Sequence, residues 1–62
     1  MKSLNEQLLK LVTLCGTKDL TMWEEQFTRS MYALYLRDGE STRGMTGGMV
    51  EKIEQIYRKH FA

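Results

Sequence analysis

One stretch limits what this chain can fold into more than any other. It runs from Leu20 to Gly39, LTMWEEQFTRSMYALYLRDG, and holds the only tryptophan, one of the two phenylalanines and two of the three tyrosines. Trp23, Phe27, Ser30, Met31 and Leu34 recur at three- and four-residue steps, which places them on one face of a helix. Leu20, one turn earlier, extends that stripe. Thr21 is in position to cap the helix, and Glu24 three residues on completes a reciprocal capping box. Glu24 and Glu25 put negative charge where the helix dipole favours it. Glu25 and Arg29 are spaced for an i,i+4 pair. Arg37 and Asp38 lead to Gly39, which can take the left-handed conformation that ends helices. Tyr32, Tyr35 and Leu36 broaden the apolar surface, so this helix is expected to lie between two partners. Trp23 is expected to be buried there. Its truncation to alanine should then cost about 3–5 kcal/mol and unfold the domain.

The 62 residues make one small domain, 1–62. Chains of this size are marginally stable and often lean on a disulfide, a metal or a partner. The single cysteine excludes an internal disulfide, and no Cys/His cluster offers a zinc site. Proline is absent, and no long β-branched run occurs, so packed helices are the economical solution. Ser3 and Glu6 form a second capping box ahead of Leu4, Leu8, Leu11, Val12 and Cys15, with Leu9 and Leu14 widening the stripe. Gly16 is the expected stop, and the short link to Leu20 makes the first two helices antiparallel neighbours. After Gly39, ESTRGMTGG is polar and glycine-rich and is expected to be the most flexible stretch. Thr46 can cap a third helix, with Gly47 and Gly48 weakening its first turn. Met49, Val50, Ile53, Ile56, Tyr57 and Phe61 give that helix its apolar face, and Glu54 and Arg58 are spaced for a surface pair. The expected fold is all-α, a small three-helix bundle with helices near 3–15, 21–37 and 46–61.

The apolar runs are too short to span a bilayer, and no charged-then-apolar signal segment opens the chain, so a cytoplasmic location is expected, that of the host if the protein is phage-encoded. Net charge is only +1, whereas nucleic-acid binders usually carry a one-sided basic excess. The one basic cluster is Arg58, Lys59 and His60. It reads either as a favourable helix C-terminus or as a phosphate contact. The 39–48 loop reads either as an ordinary connection or as a backbone nest for phosphate at the start of helix three. GMTGGM lacks the lysine and the spacing of a P-loop. Five methionines make the core adaptable. Met22, Met31, Met45 and Met49 gather around helix two and the start of helix three, as gap-fillers or as a plastic surface for a partner. His60, the only histidine, sits at an end expected to fray, Cys15 falls on an apolar stripe, and Glu24 and Glu25 point apart. No enzyme, cofactor or metal is expected.

From Leu20 onward the chain resembles a short module of phage-type DNA-metabolism proteins that accompanies helicase and related domains. The matching residues are Leu20, Thr21, Trp23, Glu24, Phe27 and Ser30, then Met45, Thr46, Ile53, Ile56, Tyr57 and Lys59 after the polar break. Met49 stands where that pattern has glutamine, and Gly47 and Gly48 replace good helix formers. The resemblance implies an accessory role near replication, recombination or repair and no active site. The first expectation is therefore weak contact with single-stranded or branched DNA, or docking on a helicase. Arg43, Arg58, Lys59 and His60 would make the DNA contacts, and Tyr32 or Tyr35, if exposed, would stack on bases. The alternative is a protein-binding module or inhibitor of a host enzyme acting through Met22, Met45 and Met49. Self-association of the small domain is a third.

Overall fold

The computed structural model describes residues 3–61. Three helices follow in order: α1, Leu4–Val12; α2, Met22–Arg37; and α3, Gly47–Phe61. No strand occurs among the described residues. The expected three-helix bundle is what forms.

Local chemistry sets the helix ends. The Ser3 hydroxyl accepts the Glu6 amide at 3.2 Å and opens α1. At α2 the Thr21 hydroxyl accepts the Glu24 amide at 3.1 Å, while Glu24 Oε1 accepts the Thr21 amide at 3.0 Å, so the capping box is complete. The Thr46 hydroxyl accepts the Met49 amide at 3.3 Å at the start of α3. Gly16 and Gly39 both take positive φ, 85° and 74°; Gly39 turns the chain out of α2, and Gly16 closes the run of turns that follows α1. α1 stops earlier than residue 15. Beyond Val12 the chain continues as tightened turns, with Thr13, Leu14 and Cys15 donating three residues back. The hydroxyls of Thr13 and Thr17 bond the Lys10 and Leu14 carbonyls, both at 2.6 Å, which satisfies acceptors that a regular helix would have used.

The core consists of Leu8, Leu11, Leu20, Met31, Tyr35, Ile53 and Ile56. The shortest helix holds it together. α1 packs against both of the others, while α2 and α3 meet over a smaller contact. The aromatic-rich α2 is therefore not the element clasped from two sides; α1 is. The physical reason lies in the side chains. Leu8 and Leu11 are fully buried, and a helix of nine residues with leucines on both flanks of its stripe offers apolar surface to two neighbours.

α2 also turns a different face inward than its aromatic spacing predicts. Its buried residues are Glu24, Thr28, Met31 and Tyr35; Met31 belongs to the expected stripe, but Glu24, Thr28 and Tyr35 lie about 100° round the helix from Trp23, Phe27 and Leu34, of which Phe27 and Leu34 are only partly buried against the core. Trp23 is 55% exposed and is not part of the core. Because α2 carries apolar groups on several sides, periodicity alone did not fix its rotation. The connection after α2, expected to be the most flexible stretch, is tied back to the body. The Ser41 amide donates to the Tyr35 carbonyl at 3.2 Å, and the Thr42 hydroxyl meets Asn5 Oδ1 on α1 at 2.7 Å.

Candidate interaction site

The site is assembled around Glu24. Its carboxylate closes the capping box of α2 and at the same time receives the end of α3. Oε2 accepts from Lys59 Nζ at 2.9 Å, and Oε1 lies 3.3 Å from His60 Nε2. Burial by itself would raise the pKa of this carboxyl. The Thr21 amide, the Lys59 ammonium and the His60 ring overcome that and hold it at about 2. Glu24 is thus a buried carboxylate with its lone pairs engaged, as a buried charge must be. The clamp ties the start of α2 to the last turn of α3, the pair of helices with the smallest contact in the bundle.

Trp23 stands beside this clamp. Its indole stacks on Phe27, with ring centroids 5.3 Å apart and planes 6° from parallel. The Lys52 ammonium lies over the indole, 5.7 Å from the ring centroid. Trp23, Glu24, Lys52, Gln55, Ile56 and Lys59 line a shallow groove of about 230 Å³ between α2 and α3. Met22, next to Trp23, is 80% exposed.

The residues proposed from sequence to touch nucleic acid are not gathered in one place. Lys59 and His60 are committed to Glu24. The His60 side chain is only 15% exposed, so the helix end expected to fray is held. Arg58 is exposed, and its Nε donates to the Glu54 backbone carbonyl at 3.4 Å rather than pairing with the carboxylate. Arg43 is exposed on the loop. Tyr35 is buried in the core, which removes it as a base-stacking platform. Tyr32 is half-buried and stacks on Tyr35 with centroids 5.9 Å apart. Of the three methionines expected to meet a partner, only Met22 is fully presented; Met45 and Met49 are partly buried against the core.

Sequence reasoning treated Glu24 as a cap alone and Trp23 as core. The signal that could have linked Glu24 to Lys59 and His60 was the pairing of an acid at the start of one helix with bases at the end of an antiparallel one. Sequence spacing does not reveal such a pair, because the partners lie 35 and 36 residues apart.

Among the described residues no group of His, Cys, Asp or Glu is placed to hold a metal. No helix there is long and apolar enough to cross a membrane. No family model, no curated protein and no solved structure matches this chain.

Proposed function

We propose that this protein is a non-enzymatic accessory of phage-type DNA metabolism that works by docking on a protein partner, with a helicase the kind its L-T-x-W-E-x-x-F pattern points to. The observation that carries the docking part is Trp23, half-exposed yet braced by Phe27. An exposed tryptophan held in one orientation loses little freedom on binding, and tryptophan is enriched among the residues that dominate interface energies. Met22 adds an adaptable apolar contact beside it. Direct nucleic-acid binding is the weaker arm of the reading, because Lys59 and His60 are engaged within the fold and Tyr35 is enclosed. Inhibition of a host enzyme would use the same surface and differs only in the partner.

Trp23 emission provides the test, since it is the only tryptophan. A helicase of the same replication system should shift the emission to shorter wavelength with little response to salt. Single-stranded DNA should change it slightly. A strong DNA response that falls steeply between low and physiological salt would transfer the proposal to nucleic-acid binding.

A further inference from the structure

We infer that the groove beside Trp23 seats an acidic peptide segment bearing an apolar anchor, an inference that rests on the docking reading above. At about 230 Å³ the groove is smaller than the roughly 300–1,000 Å³ of typical small-molecule sites. It has room for a side chain or two, set against Ile56 and the indole. Lys52, Gln55 and Lys59 follow one another at steps of three and four on α3, which makes a single polar rim along the groove. Lys52 has no carboxylate partner among the described residues; its ammonium rests over the indole. Lys59 gives one of its three N–H donors to Glu24, and its side chain remains 58% exposed. Lys52 and Lys59 lie about 10 Å apart along the helix axis; Lys52 is the cation open to a carboxylate of a bound segment, and Lys59, paired with Glu24, is the second positive group of the rim.

The same features disfavour a nucleic-acid strand as occupant. The ionised Glu24 carboxylate sits in the groove wall and leaves a single net positive charge among the lining residues. That suits one or two carboxylates spaced along a peptide better than a row of phosphates.

The test uses the full chain and four probes: an Asp/Glu-rich peptide carrying a leucine pair, the same peptide with serines for the acids, the acidic peptide without leucines, and oligothymidylate. Trp23 emission and the amide shifts of Lys52 and Gln55 are the readouts. The acidic leucine-bearing peptide should bind most tightly. Lys52→Glu should weaken it about three- to tenfold while the cooperative melt persists. Lys52 is the right position to change, because altering Lys59 would also open the clamp. Equal binding of the serine peptide, or indifference to Lys52→Glu, overturns the acidic occupant but leaves the docking reading standing. Tightest binding by oligothymidylate overturns both. If no peptide moves either readout, the inference fails, and the helicase titration then decides the docking reading separately.

Discussion

The two seams of this bundle are built from different chemistry. Where α1 meets its neighbours, contact is apolar: Leu8, Leu11 and Ile53 are fully buried in a cluster with Leu20, Met31, Tyr35 and Ile56. Where α2 meets α3 near its start, a carboxylate takes two bases and an exposed tryptophan stands alongside. Apolar burial is non-directional and scales with area, so it supplies most of the stability. A hydrogen-bonded charge cluster contributes less net energy but tolerates only one arrangement of its partners. In this domain the first seam gathers the apolar core, and the second pairs the start of α2 with the end of α3 beside an exposed Trp23.

The most forceful way to break that contrast is Leu11→Ala. Removing a fully buried leucine should cost about 2–5 kcal/mol, comparable to the whole stability of a domain this small. Thermal unfolding followed by circular dichroism should lose its cooperative transition. A retained sharp melt near the wild-type temperature would show that α1 is not the centre of the core.

Acid should act on the second seam. The Glu24 carboxyl has its pKa lowered from 4.5 to about 2 in the fold. A depressed folded-state pKa contributes stability that is fully present above the unfolded value. It is lost as pH falls from about 4.5 toward about 2. The effect is at most about 3 kcal/mol, and smaller in practice because water screens the half-exposed Lys59. Urea midpoints measured across that window should fall in the wild type and fall less in Glu24→Gln. Parallel curves would remove the clamp from the stability account. The same geometry predicts that Lys59→Glu destabilises the fold, since it would set two carboxylates face to face. A charge reversal there is therefore not a clean probe of DNA binding.

Trp23→Ala sharpens the comparison from the other side. With the indole half-exposed, its stacking on Phe27, its contact with Lys52 and a modest buried area are lost, about 1–2.5 kcal/mol. The cooperative melt should survive, in contrast to the unfolding expected of a core tryptophan. The smallest effect is reserved for Thr28, which is fully buried with a hydroxyl that has no hydrogen-bond partner. Thr28→Val keeps the shape and removes the unsatisfied group, so stability should be unchanged or rise by up to about 1 kcal/mol. A clear loss in chemical denaturation would mean that this hydroxyl has a partner after all.

Much of the fold was legible in the residues. Ser3, Thr21 and Thr46 start the helices as their spacing to Glu6, Glu24 and Met49 implies. Gly39 turns the chain at the end of α2 as expected, whereas α1 ends at Val12, ahead of the expected stop at Gly16. The Glu25–Arg29 pair forms, at 3.4 Å. The candidate site was not legible to the same degree. An aromatic stripe of Trp23 and Phe27 looks like a core face, yet the buried stripe passes through Glu24 and Thr28, residues that hydrophobic periodicity assigns to solvent. Glu25 adds a similar lesson on a smaller scale, because its Oε1 accepts the Gly16 amide at 2.7 Å and ties the preceding turn to α2.

By itself the sequence determined three helices, their starts and their turns, because each of those features rests on contacts three or four residues apart. Tertiary structure decided which helix lies at the centre, which face of α2 points inward and that Trp23 stays in water. Those outcomes depend on pairs such as Glu24 with Lys59, 35 residues distant along the chain. Only the folded arrangement brings such partners within hydrogen-bonding distance, and the face of α2 that carries Glu24 also carries Thr28, Met31 and Tyr35, which are buried together.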